Sequence, residues 1–228
     1  MTELPAPDAP RLPDTAEAAR PHVRCLLPES GTEGLPPVAS APGLRAAVLY
    51  SSITGNTRRV AEALALGRLP LHSLTQKPDV AAYDLLALGF WVRKGLPDAR
   101  SQHFWSGIRD KHVFLFGTLG AWPHSAHACR CLEGARTLLT ANGNRIVGEF
   151  LCQGRVDPRV LAASARKGTH PMTEGRAARL AEAARHPDAA DLAAARACWQ
   201  SVLAVLAPQE PPLAAPDAAA LSPRSIAS

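Results

Sequence analysis

The sequence predicts an α/β fold, a parallel sheet with helices on both faces. Three observations carry this. Short, predominantly apolar runs recur at 46–50, 84–89, 112–117 and 145–152, of the kind that a strand buried on both faces requires. Stretches with helical spacing separate them. The runs end in loops rich in Gly, Ser, Thr or aromatic residues, which places the polar chemistry on one sheet edge.

The first unit, Ala46 to Leu64, reads as strand, loop and helix. Ala46-Ala47-Val48-Leu49-Tyr50 is the strand, and Val60, Ala63 and Leu64 share a helical face. Between them lie Ser51, Ser52, Ile53, Thr54, Gly55, Asn56 and Thr57. Hydroxyls and backbone N–H groups gathered at a helix N-terminus make a phosphate cradle that needs no lysine. Gly55 allows close approach of the backbone. The loop lacks the Gly-x-x-x-x-Gly-Lys of a P-loop and the three glycines of a dinucleotide fingerprint. The competing reading is a turn in which a Ser or Thr only caps the helix.

Leu69 to Leu74 is a short second strand, with Pro70 suggesting an edge. The strand 84–89 leads into a loop Phe90-Trp91-Val92-Arg93-Lys94-Gly95-Leu96-Pro97, and Asp98 caps a helix to about Ile108. The strand 112–117 leads into Thr118-Leu119-Gly120-Ala121-Trp122-Pro123-His124, followed by a helix over about 125–141. Asn142-Gly143 turns into the last strand, 145–152. Helices follow over 157–166, from Thr173 to about Arg185, and after Asp188. In the last of these, Leu192, Ala195, Trp199, Val202, Leu203 and Leu206 form a core stripe.

The domain reading is therefore a disordered Pro/Ala-rich leader over 1–43, a domain over 44–207 with a helical extension at about 157–206, and a disordered tail over 208–228. Nine prolines interrupt the leader. The leader carries net charge −3, the domain +9 and the tail −1. A domain this basic can steer an acidic partner; no nucleic-acid motif accompanies the charge. No apolar run of 18 residues argues for a membrane span, and no basic segment leading into an apolar one argues for a secretory signal. Five irregularly spaced cysteines give neither a disulfide framework nor a zinc site, and reduced thiols fit a cytoplasmic protein.

The loop Ser52-x-Thr54-Gly55-Asn56-Thr57 resembles the FMN-phosphate loop of the flavodoxins, and 45–154 looks like a short-chain flavodoxin. The segments Gly89 to Gly95, Phe116 to Pro123, Gly148 to Gly154 and His170-Pro171-Met172-Thr173 are more specific. They resemble the flavodoxin subgroup that includes the flavodoxin-like protein accompanying bilirubin reductase. The resemblance covers roughly 45–206. It implies a five-stranded flavodoxin-like sandwich of order 2-1-3-4-5, FMN as cofactor, and electron delivery to a partner reductase. It places the phosphate on Ser51 to Thr57. Ring contacts fall to Phe90, Trp91 and Val92 and to Gly117, Thr118, Leu119, Gly120 and Trp122, with the two indoles as walls. Gly95 becomes a candidate for a peptide flip toward N5 of the ring, and His124 and His127 lie nearby. No residue set suggests hydrolysis or a metal. The best-known flavodoxins are acidic. This domain is basic, with Arg93 and Lys94 beside a proposed wall, so an acidic docking partner and a less negative flavin potential are expected. The alternatives are an FMN-dependent NAD(P)H:quinone or azo-type oxidoreductase of the same fold, and a flavin-free regulatory domain.

Overall fold

A computed structural model describes residues 15–26, 43–168 and 171–206. The chain runs α1 (Thr15–Ala18), β1 (His22–Cys25), β2 (Ala46–Tyr50), α2 (Asn56–Ala65), β3 (Leu71–Ser73), β4 (Leu85–Arg93), β5 (Leu96–Pro97), α3 (Ala99–Trp105), β6 (His112–Leu119), α4 (Ala126–Thr140), β7 (Arg145–Gln153), α5 (Pro158–Lys167), α6 (Glu174–Ala183) and α7 (Ala189–Leu206). The parallel strands lie in the order β3-β2-β4-β6-β7, the expected 2-1-3-4-5.

Alternation along the strands sorts the core into two layers. Val48, Ala87, Phe114, Phe116 and Phe150 face α2 and α7, where Trp199 meets Phe114 with ring centroids 5.2 Å apart. Leu49, Leu88, Phe90 and Leu115 face α3 and α4, where Phe90 meets Trp105 edge-on at 5.5 Å. Helix α7 has the length and hydropathy of a membrane span. Here Ala195, Trp199 and Val202 are buried against the sheet, as in a core helix.

Two expectations need correction. The leader is not unstructured over 15–26: β1 runs antiparallel to β7, with His22 opposite Leu151 and Cys25 opposite Gly148. The strand binds through backbone bonds, and its side chains stay mostly exposed, so it left no apolar alternation to read. The remainder of 1–43 and all of 208–228 fall outside the described residues. The second correction concerns 90–97, which is not an open loop. β4 runs on to Arg93 and pairs with β5 across a two-residue turn. Lys94 (φ 53°) and Gly95 (φ 80°) both take positive φ, the signature of a type I′ hairpin. Lys94 is an unusual residue there, which hid the turn.

Candidate functional site

The parallel strands all end on one edge, and four of the loops leaving them converge. The first is 51–55. Gly55 is the N-cap of α2, at φ 87°, and no side chain caps the helix. This disfavours the simple capping turn. The loop is shaped from within, because the Gly55 N–H donates to Ser52 Oγ at 3.1 Å. The first-turn N–H groups of Asn56, Thr57 and Arg58 find no acceptor among the described residues. Three parallel donors at the positive end of a helix dipole fit an oxyanion.

Not every hydroxyl of the loop points there. Ser51 Oγ donates to Asp98 Oδ1 at 2.9 Å in the interior. Thr57 is buried, its hydroxyl 2.9 Å from that of Thr118. These two contacts bolt the loop to α3 and to β6. Ser52 and Thr54 are the hydroxyl residues that remain beside the amides.

From this loop a groove runs along the sheet edge in two connected parts. The narrow part, about 120 Å³, includes Thr54, Asn56, Trp91 and Thr118 in its wall. Gly154 to Asp157 and Val160 close its other side. The wide part, about 410 Å³, lies between the β4–β5 hairpin, the loop after β6 and the helices α5 and α6. Val92, Leu119, Gly120, Val156 and Val160 line both parts, so they form one channel. The narrow part, with Trp91, Val92 and Leu119 in its wall, is mainly apolar, and the wide part adds the basic side chains of Lys167, Arg176 and Arg179.

The structure brings together Ile53, Thr54, Asn56, Trp91, Val92, Thr118, Leu119 and Gly120. It separates others. Phe90 is fully buried under the sheet. Gly117 lies in the interior, where a Cβ would stand 2.8 Å from both Leu151 and Phe90. Trp122 lines neither part; its carbonyl accepts both the N–H and the Oγ–H of Ser125, which caps α4. Of the two indoles expected as walls, Trp91 lines the groove. Gly95 sits at the hairpin turn against His127, outside the lining, and Arg93 and Lys94 are at the same tip.

The wall 154–160 was missed. Asn56 Nδ2 donates to the Arg155 carbonyl at 2.9 Å, and a Cβ on Gly154 would stand 2.6 Å from that nitrogen. A Cβ on Gly120 would stand 2.2 Å from Val156 Cγ2. These glycines let the loops after β6 and β7 close on the first loop. The signal was available: β7 is parallel to its neighbour, so its exit loop belongs to the same edge.

The sequence model of the flavodoxin domain (Flavodoxin_3) matches residues 47–200. This chain belongs to the flavodoxin-domain family. Two relatives are named flavodoxin-like domain-containing protein BilS. That of Clostridioides difficile (strain CD3) is 31% identical over 120 residues, covering 50% of this chain and 68% of the relative. That of Clostridium symbiosum (strain WAL-14163) is 28% identical over 176 residues, covering 66% and 92%. Among solved structures, oxidised flavodoxin 2 from Bacillus cereus aligns at 14% identity and TM-score 0.45, over 71% of this chain and 98% of that one. Among the described residues no cysteine lines the groove. Burial pushes the Cys131 thiol up to about 12 and Cys198 to about 11, and Cys152 is also raised well above the ordinary range by burial.

Proposed function

We propose that this flavodoxin-domain protein binds FMN and passes reducing equivalents to a partner reductase, of the bilirubin-reductase type that the BilS-named relatives suggest. One observation carries the reading: a helix N-terminus without a side-chain cap opens into a groove that is narrow beside the helix and wider beyond it. That order matches a phosphate ester at the helix end, with a ribityl chain and a flat ring system along the groove from Trp91 to Gly120. The phosphate is assigned to the amides of Asn56, Thr57 and Arg58 with Ser52 and Thr54. Trp91, Val92 and the backbone at Leu119 and Gly120 are assigned to the ring. When bound, FMN supplies one- and two-electron chemistry; the chain holds, orients and shields it.

The test is an absorbance spectrum of the chain after FMN addition and desalting, followed by reduction with and without the partner. Retained flavin bands and reduction or reoxidation that depends on the partner support the reading. A colourless protein removes it. A second reading, an FMN-dependent NAD(P)H:quinone or azo-type oxidoreductase, is favoured by one feature: α5 and α6 roof the wide cleft, as an enclosed substrate site would need. Rapid NAD(P)H oxidation by the chain alone with a quinone or azo dye would decide for it.

A further inference from the structure

The wide cleft contains an unbalanced charge. Arg179 on α6 enters it, and its guanidinium donates to the Gly120 carbonyl. Among the described residues no carboxylate lines the wide part and Arg179 forms no ion pair; Asp157, in the wall of the narrow part, is already paired with Arg159. Lys167 and Arg176 line the same space and add to the positive field. Burial lowers the Arg179 pKa, and the neighbouring Arg176 lowers it further, so the group is held charged at a cost. A half-buried cation without a counter-charge is less well solvated than one in water and gains when an anion is placed beside it. Ser164 Oγ, also in the cleft wall, has no accessible surface and no partner. Arg93 and Lys94, the basic pair evident in the sequence, line neither part of the channel.

We infer that Arg179 is the counter-charge for the reduced, anionic form of the bound flavin ring, and that it raises the potential of this protein relative to the same fold without it. The inference rests on the FMN reading above. Its physics is local: a cation beside the ring interacts more strongly with the ring after negative charge has been added than before. The Gly120 carbonyl fixes the guanidinium beside the very backbone assigned to the ring edge. Arg179 is thus a positioning and tuning residue contributed by the helical extension, not by the sheet-edge loops.

The experiment compares the full-length parent with R179Q, R179K and a distant control, R109Q. Arg109 is exposed and precedes β6, at the opposite edge of the sheet. FMN affinity is read by quenching of flavin fluorescence, and midpoint potential by dye-coupled titration. In R179Q, oxidised FMN should bind within about threefold of the parent. Its preference for the reduced form should fall about tenfold, close to 30 mV for a two-electron couple. R179K should restore most of the potential, and R109Q should match the parent. An unchanged potential in FMN-loaded R179Q overturns the inference. So does an equal fall in R109Q, which would reflect net charge alone. Loss of oxidised FMN from R179Q also overturns it, because the residue would then serve to hold the cofactor rather than to tune it. A parent that binds no FMN removes the functional reading, and this inference with it.

Discussion

Asn56 and Arg155 lie 99 positions apart in sequence, yet Asn56 Nδ2 donates to the Arg155 carbonyl at 2.9 Å. One hydrogen bond thereby closes the first strand's exit loop against the last strand's. Asn56 is at once the first residue of α2, an amide donor of the proposed phosphate cradle, and the latch of the narrow cleft. Substituting Asn56 by Ala removes the latch and leaves the backbone donor. The loss of one such bond is worth ~1 kcal/mol, so FMN affinity should fall several-fold to tenfold. Fluorescence titration checks this; unchanged affinity would show that the β7 exit loop does not shape the site.

Gly154 tests the same junction from the other side. Its added methyl would press on the Asn56 amide and must displace it. G154A should destabilise the fold by ~1–3 kcal/mol through overpacking and weaken FMN retention more than N56A does. Chemical denaturation and the same titration separate the two effects. A variant with parental affinity would mean that Asn56 can move freely.

Ser51 should behave unlike its neighbours in the loop. Its hydroxyl serves Asp98, which also accepts from the N–H groups of Arg100 and Ser101 and from Ser101 Oγ. S51A should cost ~1 kcal/mol of stability and leave FMN affinity within about threefold. D98A loses the α3 cap and strands two buried hydroxyls, so ~2–4 kcal/mol is expected. Denaturation midpoints of the two variants check the order; S51A that releases FMN would place this hydroxyl on the phosphate.

Glu149 is expected to contribute to the acid limb of stability. Its fully buried carboxylate takes a bidentate bond from Arg136 on α4, and His22 of β1 lies 3.8 Å away. Burial alone would raise its pKa, but the Arg136 bonds and His22 more than offset this, and the pKa is lowered below the ordinary 4.5. A carboxylate lowered by folding adds stability above its unfolded pKa. That contribution disappears as the pH falls from about 4.5 through the lower folded value. E149Q should cost ~2–4 kcal/mol at neutral pH, towards the low end because the Arg136 side chain is 31% exposed. It should also flatten the acid limb of the stability curve. The double variant E149Q/R136M should recover part of the loss. An unaltered acid limb in E149Q would assign acid unfolding elsewhere.

Removing residues 1–26 uncovers the outer edge of β7, which β1 occupies with four paired residues. An exposed edge strand with free backbone donors invites pairing with another chain. The truncated protein should melt lower and show concentration-dependent association in sedimentation. A monodisperse, equally stable product would make β1 dispensable.

Much of this molecule was legible because parallel strands buried on both faces write themselves as apolar blocks, and their exits must share an edge. That reasoning located Thr54, Asn56, Trp91, Thr118 and Gly120 in one groove. It failed where backbone geometry decided the outcome. His22–Cys25 pairs without burying an apolar face. Lys94-Gly95 makes a hairpin turn without the usual Asn-Gly signal. Trp122, aromatic and just after a strand, was expected beside Trp91, and it lies outside the lining of both parts of the groove. Arg179 carried no signal at all, since only the fold of α6 over the cleft distinguishes it from the other arginines.

The bond between Ser51 and Asp98 has a bearing on how such chains diverge. It joins the loop assigned to the phosphate in the proposed function to a helix outside the groove, so drift at one position is felt at the other. Homologues that replace the acid are expected to replace the hydroxyl as well, trading the polar couple for an apolar one. An aligned set in which the two positions vary independently would show that each lineage has found another way to brace the loop.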